Sequence, residues 1–252
     1  MANPGITSDH LLARQVATAA GRLLLDLRSS LNAGGPQELR RQGDRRSHRL
    51  ITFALRQARP LDGILSEEGE DDGSRLRRRR VWIVDPLDGT REFGEPERTD
   101  WAVHVALVID GDPVAAAVAL PGLDRTFDTA QPPPPPARRP GRLRIVISRT
   151  RAPRMVAELA DRLDAELIEM GSAGAKAMAV VQGEADCYVH AGGQFEWDSA
   201  APAGVARAAG LHVSRIDGTP LRYNQPSARL PDLVVCRREQ TAEVLAALRE
   251  LI

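Results

Sequence analysis

Acidic side chains follow two of the short apolar runs in this sequence. Glu67 and Glu68 come directly after one run, and Asp85 comes directly after the next. Pro86 has no N–H to donate to a sheet, so we expect a turn that brings Asp88 back toward Asp85. Carboxylates held this close repel one another unless a proton or a cation lies between them. The spacing therefore predicts an acidic centre that has raised pKa values or holds a metal.

The residues around these acids indicate which metal and which chemistry. Oxygen ligands without histidine or cysteine favour a hard cation, and magnesium above all. Gly89 and Thr90 follow Asp88 directly, and their backbone can approach an anion closely and point amide hydrogens at it. Asp198 follows Trp197 at a predicted helix start, where on its own it would be an ordinary N-cap. The combination predicts metal-assisted phosphate chemistry.

Composition narrows the class of protein. The 252 residues include 34 basic and 34 acidic side chains, so no overall charge attracts a nucleic acid or an anionic membrane. Cys187 and Cys236 are too few for a disulfide framework and are expected as reduced thiols in the core. The N-terminal residues lack a signal pattern, and no apolar run is long enough to span a membrane. We expect a soluble, cytoplasmic protein with small-molecule partners.

The elements that must position the acids begin with two helices. Leucine and alanine recur at helical spacing over Ser8–Leu31, and Asn32-Ala33-Gly34-Gly35 closes this helix. A second helix is predicted from about Asp44 to Ala58. Strands are then predicted at Gly63–Ser66, Val81–Val84, Trp101–Ile109, Val114–Leu120 and Arg125–Thr129. This order predicts a helix pair on a largely antiparallel sheet.

A proline run divides the chain. Gln131 and the five prolines after it can neither extend a sheet ladder nor sit inside a helix, so we expect an exposed connector. The predicted organisation is an N-terminal α+β lobe with the metal-binding motifs over 1–130, a connector over 131–142, and a C-terminal α/β lobe with substrate-binding elements over 143–252. In the second lobe, the predicted strands are Leu143–Ile147, Glu166–Met170, Cys187–His190 and Leu233–Cys236, and the predicted helices are Pro153–Leu163, Ala173–Val181, Asp198–Ala209 and Gln240–Leu251.

At its acidic motifs the chain resembles the inositol monophosphatase superfamily of lithium-sensitive, magnesium-dependent phosphomonoesterases. Three blocks carry the resemblance, namely Ser66–Gly69, Trp82–Phe93 and Glu196–Ala201, with Gly171–Ala173 and Val181–Tyr188 resembling the stretch between the last two. The resemblance covers about residues 8 to 224, and its motif residues are most similar to those of the CysQ-type 3'(2'),5'-bisphosphate nucleotidases. It implies a layered αβαβα sandwich of two lobes, two or three magnesium ions per site, and a homodimer.

The resemblance also implies roles for single residues. The metals would be held by the side chains of Glu67, Asp85, Asp88 and Asp198 and by the backbone carbonyl of Leu87. Thr90, Asp44 and Glu67 would orient the attacking water, and no residue would act as nucleophile. The residues expected to contact the substrate are Glu67, Leu87, Asp88, Gly89, Thr90, Gly171, Ser172, Lys176 and Asp198. Gly43 precedes Asp44 here, whereas relatives usually have threonine at that position.

The expected reaction is hydrolysis of adenosine 3',5'-bisphosphate, and of its 5'-phosphosulfate form, at the 3'-phosphate by metal-activated water, linked to sulfate assimilation. Inositol monophosphates and fructose 1,6-bisphosphate are alternative substrates, including for one enzyme of broad specificity. Lys176 and Arg237 are candidates for contacting a second phosphate or a sugar hydroxyl. Two other classes compete. One is a phosphatase with an aspartyl-phosphate intermediate, which the two residues between Asp85 and Asp88 disfavour, and the other is a non-catalytic protein that binds a phosphorylated metabolite.

Overall fold

The computed structural model of the chain describes residues 4–30, 35–137, 139–150 and 152–252. Its helices are α1 (Pro4–Ser30), α2 (Gly35–Ala58), α3 (Thr90–Phe93), α4 (Arg154–Arg162), α5 (Ala173–Val181), α6 (Glu196–Ala208) and α7 (Thr241–Arg249). Its strands are β1 (Gly63–Ser66), β2 (Arg80–Asp88), β3 (Ala102–Ile109), β4 (Asp112–Leu120), β5 (Arg125–Asp128), β6 (Arg144–Ser148), β7 (Glu166–Met170), β8 (Cys187–Phe195), β9 (His212–Ser214) and β10 (Arg229–Cys236). No helix within these ranges is both long and apolar enough to span a membrane.

The first sheet lies between two helical layers. Its strand order is β1-β2-β3-β4-β5, with β1 parallel to β2 and the remaining neighbours antiparallel. Helices α1 and α2 pack on one face, where the apolar side chains of Leu24, Ile51 and Trp82 are fully buried. Because both faces are covered, the strands are apolar along almost their whole length. The predicted helix pair on a largely antiparallel sheet is confirmed.

The second sheet completes the layered architecture. Its strand order is β7-β6-β8-β10-β9, with β6 parallel to β7 and β8, and β10 antiparallel to β8 and β9. Helices α5 and α6 lie between the two sheets, and a Cβ on Gly204 of α6 would lie 2.9 Å from Ala116. Helices α4 and α7 bury Val156 and Leu248 against the outer face. The layers therefore run α, β, α, β, α, as the resemblance predicted.

Helix α2 begins earlier than the sequence predicted. The prediction began this helix near Asp44, but α2 begins at Gly35 and Asp44 lies in its interior. Gly43 is needed for packing, because a Cβ there would lie 2.9 Å from both Leu87 and Phe93. This close approach carries Asp44 to the end of β2. Residues 31–34, where the first helix was predicted to end, lie outside the described residues, and Gly35, the last residue predicted to close that helix, begins α2.

Several other boundaries differ from the prediction. Strand β2 continues to Asp88 and β8 continues to Phe195, both further than expected. Strand β9 was not predicted, because three residues carry too little periodicity. Helix α6 begins at Glu196, so Asp198 is its third residue and not its N-cap. Its Oδ2 accepts a hydrogen bond from the N–H of Phe195 at 2.6 Å, which fixes the side chain at the start of the helix.

The proline run lies across the ends of two helices. Pro136 contacts Gly183 after α5, and Pro135 contacts Gly210 after α6. Both glycines have a positive φ, and a Cβ would lie 2.7 Å from Pro136 and 2.9 Å from Pro135. The described residues of this segment are mostly exposed. The division into lobes on either side of 131–142 stays a prediction.

Candidate active site

The floor of the site is an irregular end of strand β2. Asp85 lies opposite His104 and Asp88 lies opposite Ala102, so β2 contains one residue more than β3 over this stretch. Pro86, which cannot donate to the ladder, lies in this bulge. A carboxylate oxygen of each aspartate and a ring nitrogen of His104 lie within 4.8 Å of one another. The bulge therefore brings two buried carboxylates to one point.

Two further carboxylates converge on this point from other elements. Glu67 directly follows β1 and contacts Asp85, and Asp198 approaches from the start of α6. Burial and the neighbouring carboxylates raise the pKa of Asp85 well above its usual range. Partial desolvation and the charge of Asp198 raise the pKa of Glu67 to about 7, and burial and the charge of Asp88 raise the pKa of Asp198 to about 6. The cluster cannot be fully ionised at neutral pH without a cation.

Asp88 is the exception in this cluster. Its Oδ2 accepts hydrogen bonds from Ser172 Oγ at 2.6 Å and from the Gly174 N–H at 2.7 Å, and His104 Nε2 lies 3.2 Å away. Burial acts to raise the pKa of Asp88, but His104 and these donors outweigh it and hold the pKa well below its usual range. Asp88 is therefore ionised. Its Oδ1 accepts no hydrogen bond from the described residues and is left for a ligand.

A hydroxyl and a carboxylate meet beside the cluster. Thr90 opens α3 directly after Gly89, and its Oγ1 donates a hydrogen bond to the carbonyl of Leu87 at 3.1 Å. Asp44 reaches the same hydroxyl from α2. Burial and the charge of Glu68 raise the pKa of Asp44 to about 7, although the contact with Thr90 acts to lower it. A carboxylate that titrates near neutral pH can accept a proton from a water molecule here.

A cleft of about 530 Å³ opens beside these groups. Its lining includes Asp88, Gly89, Thr90, Arg91, Gly171, Ser172, Lys176, Tyr188, Gln194 and Asp198. The structure thus brings most of the predicted substrate-contacting residues to one cleft. Glu67 and Leu87 do not line the cleft, but each interacts with a residue that does. Glu67 lies near enough to Asp88 for their charges to interact, and the Leu87 carbonyl accepts a hydrogen bond from Thr90.

The two cations predicted for a second phosphate lie elsewhere or are already engaged. Lys176 lines the cleft, but its Nζ donates hydrogen bonds to the backbone carbonyls of Gly171 and Ser172, the latter at 2.9 Å. It also lies 5.4 Å from the centroid of the Tyr188 ring. Arg237 is buried, pairs with a neighbouring glutamate at 2.6 Å, and does not line the cleft. Lys176 therefore shapes the turn after β7, and the structure does not bring Arg237 to the cleft.

Sequence reasoning missed two residues that build this site. Asp100 Oδ2 accepts a hydrogen bond from the Gly171 N–H at 2.5 Å, and Asp100 Oδ1 accepts one from Arg98 Nε at 2.7 Å. His104 was given no role from the sequence, yet it lies against Asp88. No motif marks Asp100. His104 could have been found from its position opposite Asp85 in the ladder, had the bulge been known.

The raised pKa values predict how the metal-free protein responds to pH. In the folded protein the pKa values of Glu67 and Asp44 are raised to about 7 and that of Asp198 to about 6. In the unfolded chain the pKa of a carboxyl is about 4. The folded state binds more protons in this window, so its stability decreases as the pH rises through it. We expect the Tm in chelator to fall by several degrees between pH 5 and pH 8. Thermal unfolding followed by circular dichroism measures this.

A control separates these carboxyls from the rest of the protein. Added magnesium should raise the Tm most at the high end of the pH range, because the cation competes with protons for the same oxygens. Replacing Glu67 by glutamine should make the pH dependence shallower. If the Tm of the metal-free protein rises with pH across this range, the raised pKa values of these carboxyls do not control its stability.

The layered sandwich and the carboxylate cluster around the buried Asp85 and Asp88 together define the class of metal-dependent phosphatases. The model of the inositol monophosphatase family matches residues 9–132 and 142–252 of this chain. The chain therefore belongs to the inositol monophosphatase family, which is metal-dependent.

Relatives within the family are similar over most of the chain. A 3'-phosphoadenosine 5'-phosphate phosphatase of Mycobacterium leprae is 49% identical over 256 residues, covering 97% of this chain and 94% of that protein. The 3'(2'),5'-bisphosphate nucleotidase CysQ of Escherichia coli is 32% identical, covering 70% of this chain and 76% of that protein. Among solved structures, CysQ of Bacteroides thetaiotaomicron superimposes with a TM-score of 0.80 at 27% identity, covering 94% of this chain and 99% of that one.

Proposed function

We propose that the protein, as a homodimer, hydrolyses the 3'-phosphate of adenosine 3',5'-bisphosphate to give AMP, using water and magnesium. The single observation that carries the substrate is the similarity at 49% identity to a 3'-phosphoadenosine 5'-phosphate phosphatase along nearly the whole chain. The carboxylate cluster beside a cleft supports the reaction class, because phosphoryl transfer to water needs a cation and room for a phosphate ester.

The residues of the cluster would hold two or three magnesium ions. Its ligand atoms would be carboxylate oxygens of Glu67, Asp85, Asp88 and Asp198 with the carbonyl of Leu87, an all-oxygen set that suits a hard cation. The raised pKa values support this assignment, since a cation would offset both the burial and the mutual repulsion that raise them. Bound magnesium would lower the pKa of a water ligand and neutralise charge that develops on the phosphoryl oxygens.

The chain's own residues would orient the reactants. Thr90 and Asp44 lie in contact, so a water held at the Thr90 hydroxyl can pass its proton to the Asp44 carboxylate. Gly89 has a φ of 82° and leaves the turn without a side chain, so its backbone can approach the phosphate closely. Ser172 adjoins this turn, because a Cβ on Gly89 would lie 3.0 Å from the Cβ of Ser172. These contacts support binding of the scissile phosphate between the turn at Gly89 and the turn at Ser172.

The first expected result concerns the metal. Phosphate release should require magnesium and should be inhibited by lithium, because the ligand set is all oxygen and the family is lithium-sensitive. A phosphate-release assay with and without excess chelator measures the requirement. Full turnover in chelator would contradict a metal-assisted reaction, and no turnover under any condition would favour a non-catalytic binding protein. Lithium insensitivity alone would indicate a different member of the superfamily.

A direct comparison of substrates tests the proposed specificity. The kcat/KM for adenosine 3',5'-bisphosphate should exceed the values for inositol 1-phosphate and fructose 1,6-bisphosphate under the same conditions. Equal values would indicate an enzyme of broad specificity. A clear preference for either alternative would replace the proposed substrate while leaving the reaction class unchanged.

Arg91 is the cation that the cleft offers to a second phosphate. It lines the cleft beside Thr90, and its side chain is exposed. It forms no ion pair with any residue in the described part of the chain, whereas the Lys176 ammonium is engaged by backbone carbonyls. An arginine fork is suited to a phosphate dianion. We infer that Arg91 recognises the 5'-phosphate of the substrate.

Removal of this side chain should separate two substrates. Arg91→Ala should raise the KM for adenosine 3',5'-bisphosphate roughly tenfold or more, the size of one charge-assisted hydrogen bond. The kcat/KM for adenosine 3'-monophosphate should change little, because that substrate lacks the second phosphate. Arg79→Ala is the matched control, since Arg79 is 76% exposed and pairs with Asp110 away from the cleft. An equal effect of Arg91→Ala on both substrates would contradict this role.

A further inference from the structure

His104 links three elements that carry residues of the site. The imidazole is fully buried on β3. Its Nδ1–H donates a hydrogen bond to the carbonyl of Trp197 at 3.0 Å, directly before Asp198 in α6. On the opposite side of the ring, Nε2 lies 3.2 Å from Oδ2 of Asp88, at the end of β2. The ring thus connects the backbone next to Asp198 with the side chain of Asp88.

The start of α5 closes around the same ring. A Cβ on Gly174 would lie only 2.1 Å from Nε2 of His104, so the ring packs directly on the backbone of this helix. The Gly174 N–H in turn donates to Oδ2 of Asp88 at 2.7 Å. The position of Asp88 therefore depends on its two hydrogen bonds from the start of α5 and on the imidazole behind it.

We propose that His104 is a positioning residue that holds Asp88 and the start of α6 in the arrangement that receives a divalent cation. This proposal rests on the metal site of the proposed function, but not on the identity of the phosphate ester. With Oδ2 of Asp88 occupied by donors, Oδ1 remains for the cation. Because Trp197 directly precedes Asp198, the hydrogen bond to its carbonyl fixes the backbone that places the Asp198 carboxylate.

The geometry favours positioning over direct coordination. The Nε2 atom lies within 4.8 Å of oxygens of Asp85 and Asp88, so it could in principle serve as a nitrogen ligand. However, Gly174 lies directly against Nε2, and the oxygen nearest to it is the Oδ2 that already accepts two hydrogen bonds. A cation at Nε2 would have to displace these donors. His104 is accordingly placed behind Asp88 and not among the ligands.

Two amide substitutions separate the two contacts of the ring. In His104→Asn the side-chain nitrogen can take the place of Nδ1 and keep the hydrogen bond to Trp197, but nothing reaches Asp88. In His104→Gln the nitrogen can take the place of Nε2 and keep the contact with Asp88. The affinity of the full-length, metal-free protein for Mn²⁺ is measured by electron paramagnetic resonance without substrate. Substitution of a group that orients a metal ligand typically costs about 10–100-fold in metal affinity.

The expected result is a Mn²⁺ affinity at least roughly tenfold weaker for His104→Asn and partly recovered in His104→Gln, which keeps the contact with Asp88 but loses the hydrogen bond to Trp197. If His104→Asn does not fold, Gly174→Ala tests the same contact, because its Cβ would displace the ring without changing any ionisable group. An unchanged Mn²⁺ affinity in a folded His104→Asn or Gly174→Ala variant would overturn the proposal. Nitrogen coupling to bound Mn²⁺ in the unaltered protein would also overturn it, because His104 would then be a ligand. If the unaltered protein binds Mn²⁺ but hydrolyses no phosphate ester, that result would count against the proposed function alone.

Discussion

Asp85→Asn should lower kcat by roughly 10³-fold or more, about the scale of removing a major stabiliser of the transition state. Asp85 is the most enclosed acid of the cluster, at 1% exposure, and it lies among Glu67, Asp88 and Asp198. Asparagine keeps the shape and the oxygen that accepts the Leu87 N–H at 3.0 Å, but it removes the charge. Steady-state kinetics at saturating magnesium and substrate measures the loss.

The same substitution should leave the fold intact. In the metal-free protein it removes one of several carboxylates that repel one another, so the Tm in chelator should stay equal or rise. Asp128→Asn is the matched control, because Asp128 is 2% exposed and accepts two backbone hydrogen bonds outside the cleft. This control should lose stability while keeping nearly normal kcat. A near-normal kcat in Asp85→Asn would remove the argument for a metal centre that includes Asp85.

The sequence predicted the fold well, because its signals are local. Apolar runs, turn residues and the proline run mark the elements without knowledge of their neighbours. The predicted start of α2 was wrong because it depends on a contact that is not local in the sequence. Gly43 serves a contact with Leu87 and Phe93, which only the packed structure contains. The same holds for β9, which forms because it pairs with β10 and not because of its own sequence.

The acidic part of the site could be predicted because proline and glycine fix the local backbone. Pro86 and Gly89 bracket Asp88, so the direction of the chain there follows from residue type alone. The residues that hold the acids could not be predicted in this way. Asp100 and His104 act through contacts made 71 and 93 residues further along the chain, at Gly171 and Trp197. Such contacts depend on how the two sheets pack across α5 and α6.

The cations of the cleft show the same limit. Lys176 was chosen for its position after Gly171–Ala173 and Arg237 for its position after the last predicted strand, but Lys176 is engaged by backbone carbonyls and Arg237 does not line the cleft. Arg91 was part of a matched motif without being assigned a role. Its exposure at the cleft and its lack of an ion pair among the described residues are properties of the packed structure.

Thr90→Ala should separate activation of water from binding of the metal. The substitution removes the hydroxyl that contacts Asp44 and donates to the Leu87 carbonyl, but it leaves the carboxylates of the cluster and the Thr90 N–H in place. The magnesium dependence and the KM should therefore change little. The kcat should fall by roughly 10²–10⁴-fold, the range for a group that positions a proton transfer. Thr90→Ser should recover part of the rate, and Thr126→Ala, outside the cleft, should remain near normal.

The stereochemical course shows whether Thr90 orients water or the chain supplies a nucleophile. A direct attack by water inverts the configuration at phosphorus, and a single turnover in ¹⁸O-labelled water should place one solvent oxygen in the released phosphate. Label in the bridging oxygen of the substrate should stay in the alcohol product. Retention of configuration would require two displacements and therefore a covalent intermediate, with Asp85 as the candidate nucleophile. In that case Thr90→Ala would slow hydrolysis of a phosphoenzyme, and the phosphoenzyme would accumulate. With direct attack, no phosphorylated protein should be trapped from Thr90→Ala, because the lost hydroxyl acts on the only chemical step.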